Sequence, residues 1–245
     1  MSNPAPITLE QLFRFNRGLP HQLAAITELE DDLKVNGYAV AMRRDRPWFE
    51  VWSQDGKQEE AAAPAPVRSH GNPLPVPYFP QGDNGPEGWR QCQTSSIAMA
   101  LAFLQVAGIR DDLDYLRVVN TFGDTTASGA HMKALAHLRA PGRFVQTATV
   151  AQVVAEIDAG RPVALGVLHH GPASAPRGGG HWILAIGYTA DDWIVHDPYG
   201  ELDVRDGGWT RTGGTAGRSQ RYSRRNLNPR VWVEGGSSGW AWLFN

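Results

Sequence analysis

The chain of 245 residues holds one cysteine, Cys92, and its setting is chemically informative. It stands where the polar stretch Gly88-Trp-Arg-Gln91 turns into the apolar run Cys92-Gln-Thr-Ser-Ser-Ile-Ala-Met-Ala-Leu-Ala-Phe-Leu-Gln105. Ile97, Leu101 and Leu104 recur at helical spacing with alanines between them, which predicts a helix beginning at or just after Cys92. A sulfur at that place faces unpaired backbone N–H groups and the positive end of the helix dipole, both of which favour thiolate over thiol. Lone cysteines also pack as small buried hydrophobes, so a nucleophilic role requires a partner. Gly178-Gly-Gly-His181-Trp-Ile-Leu-Ala-Ile-Gly-Tyr188 supplies one, a histidine at the head of an apolar run that reads as a buried strand. Asp191-Asp-Trp-Ile-Val-His-Asp197-Pro-Tyr-Gly200 then reads as a turn, a short strand and a stop at Asp-Pro. Paired antiparallel, these strands bring His181 and Asp197 side by side. A thiol, an imidazole to take its proton and a carboxylate to orient the ring are the parts of acyl transfer through a cysteine nucleophile. Asp191 and Asp192 are rival acids, but they precede the strand and belong at its far end from His181.

Adjacent His169 and His170, with His181, His196 and Asp197 downstream, invite a zinc reading. Their spacing matches no compact motif such as His-Glu-x-x-His, and the chemistry of a thiolate and an imidazole needs neither metal nor cofactor. His131 and His137 fall on a predicted helix and read as solvated positions.

Pro77-Tyr-Phe-Pro-Gln81, Cys92-Gln-Thr-Ser-Ser-Ile-Ala-Met99, Gly180-His181-Trp-Ile-Leu-Ala-Ile-Gly-Tyr188 and Val195-His-Asp197-Pro198 resemble the motif set of bacteriocin-leader-processing (double-glycine) cysteine peptidases and their stand-alone relatives. The order Cys, His, Asp is that of a papain-like peptidase, and the likeness spans roughly residues 74 to 200. It implies a papain-like α+β fold with Cys92 as nucleophile, His181 as general base, Asp197 as its orienter and Gln81 lining the oxyanion hole. Two positions depart from the pattern. Gln93 follows the cysteine where many members have Gly, and eleven positions separate Gln81 from Cys92, which leaves Gln91 as a rival for the oxyanion role.

The elements that must carry these residues follow from periodicity. Asp111–Asn120 reads as a helix with acids in its first turn, and the segment from Ala127 to Arg139 as another, capped by Ser128. Phe144–Ala148 reads as a short strand, Val150–Gly160 as an amphipathic helix and Pro162–Leu168 as a buried strand. The tail from Val231 to Phe244 reads as a strand, a turn and a final aromatic strand. A helical front followed by a mainly antiparallel sheet is α+β. Gly171–Gly180, beside His181, reads as a mobile loop suited to a lid.

Upstream, residues 1–55 read as a small module opening with a helical hairpin, in which Leu23, Ile26, Leu29 and Leu33 share a face; beyond Asn36-Gly37 the apolar pattern shortens. Residues 56–71, with alternating Pro and Ala after a charge cluster, read as a linker, which leaves 72–245 as the catalytic domain.

A net charge of −2 provides no global positive field, so no nucleic-acid partner is expected. A single cysteine excludes an intramolecular disulfide. The N-terminus lacks a signal pattern and no run approaches the ~18 apolar residues of a membrane span, so cytoplasmic synthesis without export is expected. Residues 205–230 are rich in Arg, Gly and Ser and read as a solvated loop or a contact for an anionic polymer. Nine tryptophans are many for this length; such side chains pack cores and also mark carbohydrate and interface surfaces. With no transporter helices or ATP-binding motif, the expected substrate is a peptide or amide bond of peptidoglycan, as for a phage or bacterial lysin that acts on the wall after release or rides on the virion. The alternative is a non-enzymatic virion or cell-surface binding protein that retains the fold.

Overall fold

The computed structural model describes residues 71–245, together with the backbone of 38–42 and 49–53. The two short segments are strands β1 (Tyr38–Met42) and β2 (Phe49–Ser53), paired antiparallel with Tyr38 opposite Ser53. They belong to the first of two units, residues 1–66, and everything else described belongs to the second, 67–245. The helical hairpin expected upstream of β1 and all but the last residue of the linker lie outside the described residues.

In the second unit, helix α1 (Cys92–Phe103) is buried along Gln93 to Leu101. An apolar stripe would cover one side only, but the small residues Thr94, Ser95, Ser96, Ala98 and Ala100 flanking Ile97 let neighbours approach from all directions. Beyond it the chain turns at Gln105, whose φ of 60° is left-handed, while Val106 N–H closes back onto the Leu101 carbonyl. Helix α2 (Asp112–Asn120) starts as its acids predict, with the Asp111 carboxylate accepting from Asp114 N–H at 2.8 Å. Helix α3 (Ser128–Leu138) starts without a side-chain cap: its N-cap is Ala127, and the Ser128 hydroxyl instead accepts from Gln93 Nε2 at 3.4 Å.

Strand β3 (Arg143–Ala148) leads into helix α4 (Val150–Asp158), capped by Thr149, and then come β4 (Val163–His170), β5 (Arg177–Tyr188) and β6 (Asp192–His196). A small hairpin, β7 (Gly200–Leu202) and β8 (Trp209–Thr212), stands apart, followed by β9 (Gln220–Ser223), helix α5 (Arg224–Val231) and β10 (Gly239–Leu243). Six strands form one antiparallel sheet in the order β3-β10-β4-β5-β6-β9. The expected helical front and antiparallel sheet are both present, and the fold is α+β. One apolar cluster joins them, drawing Ile97 and Leu101 from α1, Leu165 from β4, Ile183 from β5 and Trp242 from β10.

Three expectations are corrected. The tail does not open with a strand: Val231 ends α5, because Leu227 and Val231 are buried four residues apart on one side of a helix whose Pro229 and polar residues conceal the period. The Arg-rich stretch is not a loop, since it contains β8, β9 and most of α5, and four of its arginines have internal partners. Arg211 pairs with Glu201 at 2.7 Å, Arg221 with Asp192 at 2.7 Å, and Arg224 lies 4.4 Å from the Trp193 ring centroid. Arg230 is 1% exposed and donates to the carbonyls of Val204, Leu168, His170 and Gly171. The segment expected as a lid is shorter than read, because β5 begins at Arg177 and its glycines extend the ladder, His170 opposite Arg177. Gly178 is required there: its φ is +103°, and a Cβ would stand 2.4 Å from the His170 ring.

Candidate active site

Cys92 is the first residue of α1 and is partly exposed, so its sulfur is reachable. The β5–β6 ladder ends with Leu184 opposite His196, which makes Asp197 the first residue beyond it, level with the His181 end of β5. There His181 Nε2 lies 2.7 Å from Asp197 Oδ1. The Cys92 side chain hydrogen-bonds the same ring, and with Nε2 occupied by Asp197 it is Nδ1 that faces the sulfur. The order anticipated from the sequence is thus assembled as one chain of contacts, Cys92 to His181 to Asp197. Asp192, the rival acid, sits at the opposite end of β6 with Arg221.

Burial pushes the His181 ring towards neutrality, but the Asp197 charge on one side and Cys92 on the other outweigh it, raising its pKa from 6.5 to about 10. A buried imidazolium is tolerable only with such partners on both nitrogens. Asp197 is in turn saturated. Oδ1 also accepts from Tyr199 N–H at 3.1 Å, Oδ2 accepts from the Tyr222 hydroxyl at 3.3 Å, and the backbone carbonyl accepts from Tyr78 at 3.0 Å. Burial, then the Asp197 charge, raises both phenols, Tyr78 to about 12, so they stay protonated and donate. Sequence reading missed both tyrosines. Tyr78 stands inside the Pro77–Gln81 motif without being singled out, and Tyr222 is hidden in the Arg-rich stretch.

Gln81 is wholly buried and opens a short 3-10 turn. Its backbone N–H donates to Pro198 O at 2.9 Å, next to Asp197, and its Nε2 donates to Gly88 O at 2.7 Å. Gly88 has no room for a Cβ, which would stand 2.5 Å from Gln81 O. Gln91 is the N-cap of α1 and 5% exposed. Each has a buried Oε1 without a partner, and neither lines the cavity in front of Cys92. Asn84 ties this loop to the helices by donating to Ser95 at 3.1 Å and to Asp112 at 2.9 Å, while Ser95 bonds Asp112 as well.

The cavity, about 640 Å³, is bounded by Cys92, His181, Gln93, Ser128 and the rings of Trp89, Trp182, Trp209 and Trp240. His169 is on its wall, with its pKa lowered to about 4 by burial and by its histidine neighbours. His196 has both ring nitrogens engaged, accepting from Ser219 N–H and bonded to Val76 O, each at 3.0 Å. Among the described residues no group of three or more His, Cys, Asp or Glu side chains is placed to hold a metal ion. His137 is exposed as expected, but His131 is not solvated: it is 0% exposed, packed between Tyr115 and Trp242.

Comparison with known proteins adds three findings. The family model described as Peptidase_C39 like family matches residues 73–216. A solved structure described as a "putative C39-like peptidase from Bacillus anthracis" superposes with a TM-score of 0.47 at 15% identity, covering 70% of this chain and 95% of that one. No curated protein matches the sequence.

Proposed function

The chain belongs to the C39-like family of papain-like cysteine peptidases, and from that premise we propose that Cys92, His181 and Asp197 are its catalytic triad and that it hydrolyses a peptide or amide bond of bacterial peptidoglycan. The observation that carries the triad is the unbroken contact from Asp197 through His181 to Cys92 at the edge of an open cavity. In this reading the Cys92 sulfur attacks the substrate carbonyl carbon, and the developing oxyanion is held by the Cys92 backbone N–H, joined by Gln81 Nε2 once it turns from Gly88 O towards the substrate. Imidazolium His181 gives its Nδ1 proton to the leaving amine, and the thioester is then hydrolysed by water whose proton returns to the ring. Asp197 keeps Nε2–H oriented and stabilises the charged ring throughout. Gln81 is preferred over Gln91 because its backbone is bonded to Pro198, beside the triad acid.

Peptidoglycan is favoured by the cavity walls, largely aromatic and neutral-polar, which suit its amino sugars and amide groups. The protein would be made in the cytoplasm and reach the wall after release or as part of a virion, with no nucleic-acid partner. No described helix is long and apolar enough to cross a membrane. Purified walls incubated with wild type and with Cys92→Ala test the reading. Release of new amino groups by wild type alone is expected; equal release by both, or none by wild type, refutes it. We also propose that residues 72–245 are the catalytic domain. A chain starting at residue 72 should match the full chain in circular dichroism and turnover, and an insoluble or molten product would assign the upstream residues to its core.

A further inference from the structure

The cavity has two features that cleavage does not require. Trp89 and Trp240 are 65% and 52% exposed, and both line it. Large bare rings at a cleft mouth usually belong to a recognition surface. Trp240 is braced rather than adrift. Its ring packs edge-on against Phe144 with centroids 5.8 Å apart, and Phe144 packs edge-on against Trp182 at 6.0 Å. Gly166 leaves the space that both indoles use, since a Cβ there would stand 3.2 Å from Trp240 Cβ and 3.6 Å from the Trp182 ring.

The second feature is neutrality. Gln93, 2% exposed, lines the cavity beside Cys92 and donates to Ser128 at 3.4 Å. Arg90 is spent on Asp124, with Nη2 2.9 Å from both carboxylate oxygens. Burial keeps His169 neutral at ordinary pH. Apart from the Cys92–His181 pair and Arg90, whose charge is met by Asp124, the wall therefore offers π faces and uncharged hydrogen-bonding groups. A charged side chain would find no unpaired counter-charge there, and an aliphatic one would leave unused the hydrogen-bonding capacity of Gln93 and Ser128 beyond the bond they share. A pyranose matches both halves, because its C–H faces meet the negative faces of the rings and its hydroxyl and acetamido groups meet the amide and hydroxyl.

We infer that the cavity contains a saccharide subsite in which Trp89 and Trp240 stack on a neutral amino-sugar residue next to the scissile amide, while Gln93 and Ser128 bind its polar substituents. The inference rests on the peptidoglycan reading above and narrows it to bonds close to the glycan strand. Binding to Cys92→Ala, which removes turnover from the measurement, tests it by calorimetry. The probes are N-acetylglucosaminyl-N-acetylmuramyl-L-alanyl-D-isoglutamine and the sugar-free N-acetyl-L-alanyl-D-isoglutamine. The disaccharide probe should bind at least about tenfold more tightly, and adding Trp240→Ala or Trp89→Ala should each weaken it by roughly tenfold, with Trp240→Phe restoring most of the loss. Equal affinity for the two probes, no binding of the disaccharide up to millimolar concentration, or indifference to both tryptophan changes overturns the subsite. The wall assay is a separate readout, so sugar binding without wall hydrolysis would refute the peptidase reading and leave the subsite standing.

Discussion

His131 on α3 and His181 on β5 are both buried, 0% and 4% exposed, yet they hold their protons in opposite ways. Around His131 the partners are neutral: Nε2–H donates to Thr125 O at 2.9 Å and Nδ1 accepts from the Tyr115 hydroxyl at 3.2 Å, so burial dominates and the pKa falls to about 4. Around His181 burial acts in the same direction, but a carboxylate and a sulfur outweigh it. Low exposure therefore does not by itself make a histidine basic. The charge of the partners does, and only one of these regions has it.

Removing that charge should have the largest effect. His181→Ala should abolish turnover, by about 10⁴-fold or more, and should slow alkylation of Cys92 by iodoacetamide at neutral pH. Equal alkylation rates for the two proteins would dissolve the contrast between the histidines. His131→Ala should leave the turnover of the folded protein near wild type but destabilise it by about 3 kcal/mol, because it opens a core cavity and orphans the Tyr115 hydroxyl. Urea unfolding against a turnover assay separates the two, and lost turnover in a fully folded His131→Ala would break the comparison.

The pH dependence should differ in sign. The depressed His131 value means the unfolded chain takes up a proton below 6.5 while the folded one resists until about 4. Its stabilising contribution is present above pH 6.5 and lost as pH falls through that window, by about 3 kcal/mol. His196, also lowered by burial, adds to the same acid limb. The raised His181 value acts at the other end, since its contribution is complete below pH 6.5 and lost as pH rises through about 10. Thermal melts from pH 4 to 10 should show an acid limb that flattens in His131→Ala and an alkaline limb that flattens in His181→Ala; the reverse pairing would refute the assignment. The smallest expected effect is that of Tyr222→Phe, which removes one donor from Asp197 and should lower kcat roughly tenfold with KM nearly unchanged. A loss confined to stability would make Tyr222 a core residue with no part in positioning the acid.

Much of this architecture is legible in the amino-acid sequence. Gln93 to Leu101 announces a central helix, Asp111 to Asn120 a second with acids in its first turn, and the apolar runs before Gly166 and after His181 the inner strands, because each signal spans only a few residues. The same local rules misread α5, where Pro229 masks a buried Leu227 and Val231, and misplace Ser128, whose hydroxyl is used by a residue 35 positions away. His131 reads as solvated because its own helix does not reveal Tyr115 or Trp242.

The amino-acid sequence by itself determined that a single thiol would stand at a helix start and that a histidine on one strand and an aspartate at the end of the next would follow. These are consequences of residue type and periodicity, which act over one or two turns of chain. Only the tertiary structure decided which histidine is charged, that Tyr222 and Tyr78 hold Asp197 from 25 and 119 positions away, and that Arg230 is buried among carbonyls. The physical reason is that solvation and Coulomb interaction depend on what lies within a few ångströms, and those neighbours are brought together by packing from parts of the chain that carry no mark of one another.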